Sequence, residues 1–185
     1  MFTQFSSNIQ QGESKAMLEN ILAKFGFIPN QDKVLAAAPT TYKAYNQAFD
    51  LFLGKSSLGL LNGQIVIMTT SYENNSPYCM ALHTWGMEMT KVPKDIIDSL
   101  RDGIPIKDSK LEILRTVTCE LINNKGNISK DTLNAFFKAG YTEQNLIDVI
   151  GGIATKTIAN YANIVAKTPL DETMKVYKWI HPSQR

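Results

Sequence analysis

Two side chains capable of chemistry stand one helical turn apart in Ser76-Pro77-Tyr78-Cys79-Met80-Ala81-Leu82-His83. Serine then proline suits the N-cap and first position of a helix, since a hydroxyl can accept from an orphan amide and proline has none to leave unpaired. Cys79 then falls in the first turn, where the positive end of the helix dipole favours a thiolate. His83 follows four residues later on the same face, and imidazole titrates close enough to neutrality to take the thiol proton. The stretch reads as a redox C-x-x-C helix opening whose first sulfur has become the oxygen of Ser76. No dithiol cycle can run through that pair. A free cysteine is ordinarily a small buried hydrophobe, and the helix start and His83 set Cys79 apart from that fate. Cys119 lies among Leu114, Val117, Leu121 and Ile122 and reads as core. It resolves an oxidised Cys79 only if the fold brings the two together. His181 belongs to a polar tail and reads as solvated.

Other chemistries find little support. One Cys and one His supply two ligands where a structural zinc needs four, so no metal is expected. The carboxylates Glu13, Asp95, Asp98 and Asp171 are dispersed over helix ends, which suits neither a paired-carboxylate hydrolase nor a di-iron bundle. Gly151-Gly152 sits inside a helical pattern and reads as a site of close helix packing, not a phosphate loop. No cofactor is expected, and no basic clamp for a substrate carboxylate is evident near His83.

The elements that must position these residues read as helical throughout. Apolar residues recur at spacings of three and four over residues 13–25, 40–53, 77–89, 93–100, 110–123, 129–139 and 142–166. Ser129 and Thr142 read as N-caps, and Gly26, Gly103, Gly126 and Gly140 as terminators. Residues 58–72 carry the continuous run Ile65-Val66-Ile67-Met68 and are predicted to form a buried helix, not a strand. No segment alternates with period two, so the fold should be all-α. A faint repeat relates residues 92–98 to 142–148, displaced by about fifty residues; a duplicated unit and two ordinary amphipathic helices both explain it.

The chain of 185 residues is 44% hydrophobic and 19% charged, with net charge +2, values that fit one soluble domain over residues 1–185. Its core should span about residues 13–176, with a polar tail over 177–185. Scattered basic residues give no reason to expect a nucleic-acid or membrane partner. Two cysteines cannot form a disulfide framework, and Met1-Phe2-Thr3-Gln4-Phe5 lacks a secretory n-region, so a reducing cytoplasm is the expected location.

Several segments, taken in order, resemble one family. They are Phe25-Gly26-Phe27-Ile28-Pro29-Asn30, Ala38-Pro39, Tyr45, Glu73 through His83, Ala139-Gly140-Tyr141-Thr142, Ala159-Asn160-Tyr161-Ala162-Asn163 and Thr168-Pro169-Leu170-Asp171. The resemblance is to the carboxymuconolactone decarboxylase superfamily, in its alkylhydroperoxidase-like (AhpD-like, peroxidase-related) branch. It implies packed helices assembled as trimers or hexamers. It also implies a site in which a C-x-x-C pair, a histidine four residues beyond and an acidic or amide residue upstream relay protons. By position, Cys79 matches the peroxide-reducing cysteine, His83 the relay histidine and Gln64 the upstream residue that is Glu in better-known members. Ser76 replaces the resolving cysteine, and Tyr78 sits where some relatives have a second histidine. An amide at Gln64 can orient a histidine or water but cannot take a proton. The implied activity is thiol-dependent reduction of a hydroperoxide for antioxidant defence, with an external thiol as reductant. A decarboxylase-type lyase using His83 as acid and base is the alternative, as is an oligomeric member with degenerate catalysis. A homo-oligomer is expected, trimer or hexamer before dimer, with the helix over residues 77–89 near a subunit boundary.

Overall fold

The computed structural model describes residues 13–185, and among these the backbone forms helices and no strand. In chain order they are α1 (Lys15–Phe25), α2 (Asn30–Leu35), α3 (Pro39–Lys55), α4 (Gly59–Glu73), α5 (Pro77–Met89), α6 (Lys94–Asp102), α7 (Ser109–Asn123), α8 (Lys130–Lys138) and α9 (Glu143–Ala166). Short 3-10 turns follow at Glu172–Tyr177 and Pro182–Gln184. The all-α expectation holds. The leader reading of residues 1–5 falls outside the described residues.

The ambiguous apolar run is a helix, and its burial explains its composition. α4 is buried continuously from Gly63 to Ser71 and packs against α3, α5, α6, α7 and α9. A helix surrounded on all sides has no polar face to show, so its sequence loses the amphipathic period. Its polar residues turn inward on their own backbone: Thr70 Oγ1 donates to Val66 O at 2.7 Å and Ser71 Oγ to Ile67 O at 2.9 Å.

The helix ends follow their sequence cues with one exception. Ser129 accepts from the Thr132 amide, and Thr142 and Asn145 form a reciprocal capping box at the start of α9. Ser76 does not behave as expected. It sits at the N-cap of α5, but its hydroxyl caps no amide and is buried with no hydrogen-bond partner. Its own amide donates to Ser71 O at 3.0 Å, which ties the α4–α5 turn instead.

Two further segments depart from expectation. α2 is only six residues long, too short for a periodic pattern, and went unpredicted between Pro29 and Pro39. The tail beyond residue 176 packs back on the bundle: Trp179 is 2% exposed, and its Nε1 donates to Arg101 O at 2.7 Å. His181 is not simply solvated, since its ring lies 4.7 Å from that of Tyr72. As for the repeat, residues 92–98 and 142–148 open α6 and α9. α4 and α7, the first helices of each half, are both 15 residues long and pack on one another. Only the first half carries a thiol and imidazole on one helix.

Candidate functional site

α5 and α9 build the centre together, with α2 closing one side. Proline at the first position of α5 lets the helix start abruptly against α4, so Cys79 enters the interior one turn later and is fully buried. Its sulfur accepts from one amide and donates to another. Asn163 Nδ2 stands 3.3 Å from Sγ, and the Lys156 side chain is near enough for the sulfur to act on its charge. Gln31 Oε1 lies 3.7 Å from Sγ and also accepts from Asn163 Nδ2 at 2.9 Å.

Lys156 links the thiol to the histidine. Its Nζ lies 2.6 Å from His83 Nε2, and since an ammonium can only donate, that nitrogen accepts. Burial, reinforced by the Lys156 charge, pulls the His83 imidazole well below its ordinary pKa, so it is neutral at pH 7. Lys156 is itself completely buried, and burial lowers its pKa against the opposing pull of Cys79 and Asp32. A basic group thus stands beside His83, a lysine seventy-three residues away in sequence, but it is completely buried and offers no clamp for a substrate carboxylate.

α2 supplies the other wall. Asp171 accepts from the Asn30 amide at 3.1 Å and from the Tyr78 hydroxyl at 2.6 Å, and that hydroxyl accepts from the Gln31 amide at 3.1 Å. The first turn of α2 is thus fastened to α5 by a carboxylate that sequence had placed among dispersed helix-end charges. Gln31 and Asp32 face inward as a result. Tyr42 OH donates to Asp32 Oδ1 at 2.8 Å, and Gln31 Nε2 donates to Tyr45 OH at 3.2 Å. Burial is the largest influence on Asp32 and lifts its carboxyl to about 6, against the hydrogen bond from Tyr42 and with help from the charge of Asp171.

A cavity of about 550 Å³ opens beside this network. His83, Gln31, Asp32 and Gln64 form its polar end, while Phe25, Phe49, Leu82 and Trp85 are among its apolar walls. Gln64 shares the cavity with His83 but makes no hydrogen bond to it. Its Nε2 donates to Thr90 Oγ1 at 3.2 Å, and its Oε1 is buried with no partner. The partner of His83 is Lys156. Ser76 is fully buried three residues before Cys79, with its hydroxyl uncommitted. Cys119 belongs elsewhere: its Sγ donates to Glu73 Oε1 at 3.2 Å, and burial followed by the Glu73 charge pushes its thiol up to about 12. Both cysteines are free thiols.

Sequence reasoning thus singled out Cys79, His83, Ser76 and Gln64, which lie in one region of the fold, and did not single out Lys156, Asn163, Gln31 and Asp32 beside them. α9 did carry a signal. Lys156 is the sole charged residue between Asp148 and Lys167, and Asn160 and Asn163 follow it at spacings of four and three. That is a polar stripe on an otherwise apolar helix, and all three residues are buried. No group of three metal-capable side chains occurs among the described residues, nor is any of their helices long and apolar enough to cross a membrane.

The same arrangement of helices recurs in solved structures. One is an uncharacterized peroxidase-related protein with an alkylhydroperoxidase AhpD core from Ralstonia eutropha JMP134. It is 15% identical, with a TM-score of 0.77 over 98% of this chain and 93% of that one. A second, an uncharacterized peroxidase-related protein from Silicibacter sp. TM1040, is 16% identical, with a TM-score of 0.79 over 94% and 92%. The fold is AhpD-like. A third structure with this AhpD-like fold is the debrominase Bmp8, a cysteine-to-alanine variant in complex with 2,3,4-tribromopyrrole. It is 13% identical, with a TM-score of 0.74 over 96% and 95%. No family model and no curated protein sequence matches the chain.

Proposed function

We propose that the protein is a thiol-dependent reductase of AhpD-like kind, which reduces an apolar organic hydroperoxide at Cys79 and is returned to the thiol by an external thiol. The observation that carries this reading is the Asn163 donor on the Cys79 sulfur, with the Lys156–His83 pair buried beside it. The thiolate attacks the distal peroxide oxygen. An S–O bond forms, the O–O bond breaks, and the alcohol leaves with a proton delivered from Lys156. His83 accepts from Lys156 and lines the cavity, so it connects the proton to the substrate side. Gln31 both lines the cavity and touches the sulfur, so its side chain must swing aside to admit the peroxide. With Ser76 in place of a second thiol, no internal disulfide can form at this helix.

Further copies of this chain are its proposed protein partners. The test of the activity is intact mass before and after one equivalent of cumene hydroperoxide with a sulfenic-acid trap. A trapped adduct should form in wild type and Cys119→Ala and be absent from Cys79→Ala. Adduct on Cys119 alone would refute the assignment.

The aromatic walls favour one second reading. Phe25 and Trp85 stand 6.4 Å apart, and Phe49 lies 6.0 Å from the His83 ring. Aromatic faces lining a cavity suit stacking with a flat ring, and the debrominase shares the fold. Thiol-dependent release of bromide from a brominated pyrrole, with no oxidation by hydroperoxide, would select reductive dehalogenation instead.

A further inference from the structure

A lysine with no exposure to solvent is costly, and its usual compensation is a carboxylate. Lys156 has no such bond. Its hydrogen bond goes to the neutral imidazole of His83, and the Cys79 sulfur is the neighbour that acts most on its charge. Besides the Asp32 carboxylate, a Cys79 thiolate is the counter-charge within reach of the ammonium. Oxidation of Cys79 to a neutral sulfenic acid removes that charge, while His83 Nε2, 2.6 Å away, still offers a lone pair to the lysine proton. A fully buried amine then stands beside an equally buried electrophilic sulfur, with a base behind it. The usual resolving thiol is absent at Ser76, and Cys119 is committed to Glu73.

We propose that Lys156 is the resolving nucleophile of this site and closes a sulfenamide bond to oxidised Cys79. This rests on the reading that an organic hydroperoxide oxidises Cys79. The amine of Lys156 attacks the sulfenic sulfur. The N–S bond forms, the S–O bond breaks, and the hydroxyl leaves as water with the amine proton passed through His83. Sulfenic acid and amine thus become sulfenamide and water, with no further oxidant. One external thiol then attacks the sulfur and breaks the S–N bond, the amine takes up the thiol proton, and a mixed disulfide results. A second thiol releases Cys79 and an external disulfide. While closed, the bond occupies the sulfur and shields it from a second hydroperoxide, so sulfinic acid does not accumulate.

The full chain is treated with cumene hydroperoxide without thiol, digested under non-reducing conditions and analysed by mass spectrometry. A linked peptide pair joining Cys79 to Lys156 is expected, lighter than the two free peptides by two hydrogens and lost on adding dithiothreitol. Lys156→Met keeps the buried volume without the amine; it should trap several-fold more sulfenic adduct on Cys79 and over-oxidise to sulfinic acid faster. If that variant does not fold, the wild-type peptide map decides alone. Trapped sulfenic acid on Cys79 without the linked pair overturns the resolving role and leaves the hydroperoxide reading standing. A link that retains the oxygen between nitrogen and sulfur overturns the sulfenamide step. No oxidation of Cys79 at all overturns both.

Discussion

At the scale of single residues, the site is organised around charges held out of water. Asp32 is the clearest to test, because its carboxyl is lifted to about 6 from an unperturbed value of 3.8. A raised folded-state pKa means the folded chain binds the proton more tightly than the unfolded chain. The ionised group therefore opposes folding above pH 6, and that penalty is relieved as pH falls from about 6 towards 3.8. Asp32→Asn should accordingly stabilise the protein by about 1–3 kcal/mol near pH 8 and by nothing below about pH 4, the Tyr42 hydrogen bond being kept by the amide oxygen. Urea unfolding midpoints of both proteins across this range are the check; a stability difference independent of pH would show that Asp32 is not the ionised group described. Cys79 and His83 were legible before the fold because both lie on one helix at a spacing of four. Lys156, Asn163, Gln31 and Asp32 were not, because each reaches the sulfur or the cavity from another helix. Nothing in a linear pattern says that α2 and α9 meet across α5.

At the scale of elements, the α4–α5 turn and the α3–α9 contact make opposite predictions for small substitutions. A serine N-cap normally contributes about 1 kcal/mol through its hydroxyl. Ser76 makes no such bond and buries an unpartnered oxygen, so Ser76→Ala should leave stability unchanged or slightly raised. A loss of a full kcal/mol would restore the capping role that sequence assigns. In α9, a methyl on Gly152 would overlap the Phe52 ring, whereas one on Gly151 would meet nothing. Gly152→Ala should therefore cost about 1–3 kcal/mol through forced repacking, while Gly151→Ala, which meets nothing within its own chain, is spared that cost. Thermal unfolding of the two variants side by side separates these effects. The close approach was legible in the Gly-Gly pair, but which glycine makes it was not, since adjacent helical residues point about 100° apart. The long helices were legible from their apolar period. α2 and the docked tail were not, the first for its brevity and the second because Trp179 sits in a polar stretch with no period around it.

At the scale of the whole molecule, a continuous exposed apolar stripe runs along α9. Ile147, Gly151, Ala154, Ile158, Tyr161 and Val165 are all exposed and alternate in steps of four and three. Ile147 is 66% exposed, Tyr161 57% and Val165 61%. That spacing is the seam of a helix pair, and small residues at its middle let two backbones approach. No charged side chain interrupts it, since Lys156 points inward and is fully buried. Glu143 opens the helix and Lys167 follows its end, both exposed. A second copy laid antiparallel about a two-fold axis brings each glutamate towards the other chain's lysine and opposes the two helix dipoles. Leu51 of α3, 62% exposed, extends the apolar face beside Gly151. Pairing through α9 should give a dimer, or a hexamer built from such dimers, and a trimer alone would leave the stripe uncovered. Light scattering at micromolar concentration should show an even-numbered assembly, and Ile158→Asp combined with Tyr161→Asp should dissociate its α9 contact while circular dichroism stays unchanged. Wild-type protein at the mass of one chain would leave this face without its partner and refute the pairing. An assembly that survives the double substitution would place the interface elsewhere.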